Sequence, residues 1–160
     1  MLEGAEFRKA SEVFTKDKTI DLGGVKVKLL AVGPNHTAGD TVIAVEGDNV
    51  VFSGDTAMKA LPAFGSPLSS VKAWLTTLDT LDALKPKIVV PSHGPNGDAK
   101  YMADYRSYMQ AVGTRTAELK KEGKTVEQVS ETLTAELATK YPSAGGRLAG
   151  AVRAAYREAP

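Results

Sequence analysis

The chain has 160 residues, 42% hydrophobic and 24% charged, with a formal net charge of +1 and no cysteine. That length suits one domain with a buried core. The near-neutral balance excludes a broad electrostatic pull toward nucleic acid or a membrane, and the lack of cysteine excludes disulfides and thiolate metal sites. No apolar run approaches the roughly 18 residues of a spanning helix. The opening Met1-Leu2-Glu3-Gly4 does not read as a signal peptide, so a soluble protein, cytoplasmic or periplasmic, is expected.

Residues 1–17 carry no clear period, and 5–14 read as a short helix or an entry loop. Lys18 to Leu22 reads as a strand, Gly23-Gly24 as a two-residue hairpin turn, and Val25 to Leu29 as a second strand alternating apolar and basic. Two more runs, 41–45 and 49–52, are joined by Glu46-Gly47-Asp48, a tight-turn composition. They are apolar at nearly every position, the pattern of strands covered on both faces.

Ser66-Pro67 has the chemistry of a helix start, and Leu68, Val71, Trp74, Leu75, Leu78 and Leu81 recur at helical spacing up to about Leu84. Lys85-Pro86 ends that helix and 87–90 is a short buried strand. A helix follows from Asp98 to about Glu122, with Met102, Tyr105, Met109 and Val112 as its apolar stripe and Gly123 as its stop. Thr125-Val126-Glu127-Gln128 is a capping-box start for another helix, ending before Tyr141-Pro142. An alanine-rich helix covers 145–157.

Three stretches each place a potential metal ligand just past a strand end. They are Gly33-Pro34-Asn35-His36-Thr37-Ala38-Gly39-Asp40-Thr41, Phe52-Ser53-Gly54-Asp55-Thr56 and Val90-Pro91-Ser92-His93-Gly94-Pro95. Taken singly, a loop histidine is more often a surface or turn residue, and Gly-Asp-Thr is ordinary turn chemistry. Together, both histidines of the chain and one aspartate lie at strand ends, where layered folds place their sites. Imidazole and carboxylate are ligands for zinc, manganese or iron. The adjacent glycines Gly33, Gly39, Gly54 and Gly94 let the backbone turn closely around an ion.

His36-Thr37-Ala38-Gly39-Asp40, Phe52-Ser53-Gly54-Asp55 and Pro91-Ser92-His93-Gly94 resemble the later motifs of the metallo-β-lactamase superfamily, in order, over about residues 18–110. The resemblance implies an α/β (α+β) fold: half of an αββα sandwich with a mixed or antiparallel sheet, flanking helices and a helical C-terminal tail. It implies that His36 ligates a first metal, that Asp55 bridges two, and that His93 ligates the second. Asp40 would be the supporting aspartate behind the ligands, with Thr37 and Thr56 bracing the loops. The family's first motif, His-x-His-x-Asp-His, is absent, because the chain holds only two histidines.

Residues 1–122 therefore read as the C-terminal half of such a domain. Residues 123–160 read as a helical tail packed on the domain or on a second copy. The function implied is a metal-dependent hydrolase, zinc being the expected ion, attacking an ester, thioester, lactam or phosphoryl centre of a small molecule. With half the site missing, little activity is expected from this chain alone. The alternatives are a non-catalytic, self-associating half-domain with relic ligands, and a plain α/β domain with an accidental match. The expected partner is the missing N-terminal half or a second copy, making a homodimer. Met58, Leu61, Pro62 and Phe64 either line a substrate groove or belong to an ordinary packed loop.

Overall fold

A computed structural model of the chain describes Gly4, Glu6 and residues 8–160. The expected helix or loop at 5–14 falls partly outside them. Residues 8–17 form neither helix nor strand. Five strands follow: β1 (Lys18–Asp21), β2 (Lys26–Ala31), β3 (Thr41–Val45), β4 (Val50–Gly54) and β5 (Ile88–Pro91). Four helices complete the fold: α1 (Val71–Ala83), α2 (Lys100–Lys121), α3 (Val126–Leu137) and α4 (Gly145–Glu158).

The strands form one sheet in chain order. β1 to β4 are antiparallel neighbours and β5 is parallel to β4, reached through the α1 crossover. The sheet is thus mixed and the class α+β, as half of a layered sandwich requires. Gly23 and Gly24 both take positive φ, at 81° and 117°, which turns the β1–β2 hairpin at the expected place.

The inward sheet face carries Leu30, Val42, Ala44, Val51 and Val89, all buried against the helices with Trp74, Leu78, Leu81, Met102, Tyr105 and Met109. Burying each large side chain contributes about 1.5–3 kcal/mol. α4 lies on α2, α3 and α1, and its Leu148, Ala151, Val152 and Ala155 belong to the same core.

The outward face is bare, as a sheet with helices on one side only leaves it. Strand register aligns Ile20, Val27, Val45, Val50 and Ile88 in one row across the sheet, and Leu29, Ile43, Phe52 and Val90 in the next. No element of the described chain covers them: Ile43 is 36% exposed, Phe52 42% and Ile88 44%. β3 and β4 have the sequence of doubly covered strands, but the described chain covers only one side.

The start of α1 corrects one expectation. Ser66 Oγ accepts from the Leu68 amide and the Ser66 carbonyl from the Ser69 amide, closing an isolated turn with Leu68 exposed. The helix begins after Ser70, whose side chain accepts from the Ala73 amide. The Glu158 carboxylate, at the end of α4, accepts from the Val71 and Lys72 amides at 2.9 and 3.0 Å. Ser70 and Glu158 supply the acceptors a helix start needs, so the chain nucleates there. The capping box at Thr125 and Gln128 forms as read.

Candidate metal centre

Three loops at one edge of the sheet carry the candidate ligands. The loop after β2 folds around Asp40. Its carboxylate accepts from the Asn35 and Thr37 amides at 3.1 Å and from Thr37 Oγ1 at 2.6 Å, so it grips the backbone on both sides of His36. Gly33 is required here, because a Cβ would strike the Ala38 carbonyl. Asn35, fully buried, donates from Nδ2 to the Val32 carbonyl and accepts from Thr77 Oγ1 of α1.

The His36 ring is fixed from a second loop. Its Nδ1 lies 2.5 Å from the Ala63 carbonyl. A carbonyl only accepts, so Nδ1 carries a proton, and in the neutral ring the lone pair then lies on Nε2, the arrangement that a histidine ligand needs. The His36 carbonyl accepts from the Gly65 amide at 3.0 Å and from Ser69 Oγ at 2.9 Å.

Asp55 follows β4 in a turn opened by Gly54 at φ 56°. Thr56 closes the turn by donating from Oγ1 to the Ser53 carbonyl at 2.6 Å, and Trp74 Nε1 donates to the Thr56 carbonyl. Ser92, after β5, donates to Asp55 Oδ1 at 3.0 Å. His93 Nε2 lies 3.8 Å from the same oxygen, with its side chain 78% exposed. Asp55 and His93 are thus brought together.

The donor types suit a zinc-class ion: an imidazole with its lone pair presented, a second imidazole and a carboxylate. The number does not. Among the described residues no three histidines or acids converge to hold a metal ion. Asp55 and His93 form a pair, and His36 does not join it in such a cluster.

The residues that sequence reading missed are Asn35, Ala63, Ser69, Thr77 and Ser92, which hold the candidate ligands and their loops in place. Their signal lay in contacts across the chain, 27 residues for Ala63 with His36. The 56–66 loop is largely packed: Met58 and Pro62 are buried, and Phe64 leans on Trp74 with ring centroids 5.1 Å apart.

Comparison with known proteins agrees with this geometry. The family model described as "Metallo-beta-lactamase superfamily" matches residues 2–93. No curated protein matches in sequence. Among solved structures, a metallo-beta-lactamase from Pontibacter korlensis is 29% identical with a TM-score of 0.53, over 61% of this chain and 47% of that one. A metallo-beta-lactamase family protein from Thermus thermophilus shares the fold at 20% identity and TM-score 0.65, over 89% of this chain and 46% of that one. The stereoselective inverting sec-alkylsulfatase Pisa1 from Pseudomonas sp. does so at 19% identity and TM-score 0.71, over 91% of this chain and 26% of that one. The chain thus spans less than half the length of each. With the family model matching more than half of its residues, the chain belongs to the metallo-β-lactamase superfamily.

Proposed function

We propose that the chain is the C-terminal ligand-bearing half of a metal-dependent hydrolase, and that a complementary half completes its site. The observation that carries this is the set of three braced loops at one sheet edge. They present Asp55 beside His93 and lock His36 with Nε2 available, yet bring no three ligands together. A zinc-class ion in a completed site would supply a strong nucleophile near neutral pH and polarise an ester, thioester, lactam or phosphoryl group. In this chain Ser92 and Thr56 hold Asp55, Asp40 with Thr37 holds the His36 loop, and the Ala63 carbonyl keeps the ring in the ligating tautomer.

The complementary half has a place to sit. Two apolar rows cross the outward face of the sheet, one over all five strands and about 20 Å wide at normal strand spacing, the other over β2 to β5 with Lys18 at its β1 end. The structural neighbours contain at least as much chain again as the part matched here. The same bare face favours a second reading, a self-associating half-domain in which a second copy takes that place.

Elemental analysis of protein purified without added metal tests the first reading. The chain alone should carry well under one equivalent of zinc, manganese or iron. An upstream half bearing His-x-His-x-Asp-His, supplied in trans, should raise the content to stoichiometric and restore hydrolysis, and Asp55→Ala should abolish both. A full equivalent of metal in a monomer would overturn it. Stoichiometric metal confined to a homodimer would favour a site shared between two copies.

A further inference from the structure

We infer that the cavity between the 64–67 loop and α4 is a binding site for a small organic oxyanion, its carboxylate, sulfate or phosphate group held by Arg153, Arg157 and Ser66. The cavity measures about 380 Å³ and has Phe64 and Pro67 on its loop side. That volume is in the range of small-molecule pockets and exceeds what a bare inorganic ion fills. Arg153 and Arg157 stand one turn apart on the same face of α4, where like charges repel.

Two arginines of the neighbouring helices are tied to carboxylates, whereas Arg147 of α4 is tied to the Leu61 carbonyl and to no carboxylate among the described residues. Arg106 is held by Asp79 and Asp82, and Arg115 by Glu118 and Glu136. Among the described residues no carboxylate lies within ion-pair distance of Arg153 or Arg157. The neighbouring Glu158 is committed to the α1 amides. Glu127 and Glu131 line the next groove, on the α3 side of Arg153, without pairing to it.

The pair is also positioned. Arg157 Nη2 donates to the Ser69 carbonyl at 3.0 Å, which anchors the guanidinium against the loop and leaves its other N–H groups free. Ser66 Oγ accepts from the Leu68 amide, so its own proton is available to a ligand. Gly150 lets α4 approach closely: a Cβ there would lie 3.1 Å from Phe64 Cβ. Two guanidiniums and a hydroxyl beside an apolar wall match an oxyanion carrying an aromatic or aliphatic substituent. This site is independent of any metal, although Gly65 joins its wall to His36.

Titration of the ¹⁵N-labelled chain at constant ionic strength tests it, with phenyl phosphate and inorganic phosphate as probes and sodium chloride as control. Phenyl phosphate should give saturable shifts at the Gly65, Ser66 and Gly150 amides, with inorganic phosphate about tenfold weaker for lack of the apolar contact. The double variant R153Q/R157Q should lose at least about tenfold in affinity, and R115Q none. R153Q alone, which leaves the Ser69 anchor intact, should weaken binding while keeping the native spectrum, so a folding defect in the double variant does not blunt the test. Equal affinity for the two phosphates would leave a free-anion site and overturn the organic ligand. Non-saturating shifts, or unchanged binding in a folded R153Q/R157Q, would overturn the site itself.

Discussion

At the scale of single residues, Asp40 does more than any other side chain to shape the candidate centre. It accepts from two backbone amides and one hydroxyl within the loop between β2 and β3. Asp40→Ala strips the Thr37 amide of its acceptor and leaves the Asn35 amide only the Thr37 carbonyl, at about 1–3 kcal/mol. Urea unfolding should show that loss, and the His36 ring signals should broaden as the loop loosens. Gly65→Ala acts on the same ring from outside, since its Cβ would lie 2.8 Å from His36 Cε1. It should displace the ring with little change in urea midpoint, read as a shifted His36 resonance. Tyr108 makes a separate prediction. Its hydroxyl is buried without a partner among the described residues, and burial pushes its pKa up to about 12. The unfolded chain therefore releases this proton first, near pH 10, and the folded state binds more protons between about 10 and 12. Stability must fall as pH rises through that window. Tyr108→Phe should flatten the fall in a thermal scan series, with little change at neutral pH.

At the scale of elements, the ends of α1 and α4 are one structure. Glu158 caps the first turn of α1 with both carboxylate oxygens, and Lys72 Nζ returns a bond to the Glu158 carbonyl. Glu158→Ala should cost about 1–2 kcal/mol in urea unfolding, and Glu158→Gln less, since the amide keeps one acceptor. α2 and α3 are clamped by Arg115 and Glu136, whose hydrogen bonds hold the Glu136 carboxyl below its ordinary value. A lowered carboxylate pKa adds stability above the unfolded value of 4.5 and loses it as pH falls toward the folded one. Glu136→Gln should therefore acid-unfold less steeply below about pH 4.5, measured by circular dichroism. These contacts also show why element boundaries were unevenly legible. The capping box of α3 sits within four residues, so the sequence displays it whole. The start of α1 depends on Glu158, 87 residues from Val71, and Ser66-Pro67 therefore looked like the better start. Asp40 was readable for the local reason, while the Ala63 carbonyl that sets the His36 tautomer was not.

For the whole molecule, the sheet poses the question that the candidate site poses again. β3 and β4 are apolar on both faces, the pattern of strands set between two layers, and the described chain supplies one. The layer deficit was legible in the pattern of β3 and β4. What covers the second face was not, since apolar side chains specify burial without naming the partner. The bare face and the candidate ligands lie on one molecule, and in the proposed reading one complementary body would complete both. The free chain should then betray its open face: its mass in solution should rise above the monomer's with concentration, and it should bind a hydrophobic dye. Ile43 and Phe52 are directly paired at the centre of that face and are already partly exposed, so Ile43→Lys with Phe52→Lys should spare the helix-side core. In light scattering the double variant should stay monomeric, keep its circular dichroism and lose the dye signal. It should also fail to take up metal when the complementary half is added, although Asp55, His36 and His93 are untouched. A double variant that associates and loads metal like the parent would mean that this face is not where the second layer binds.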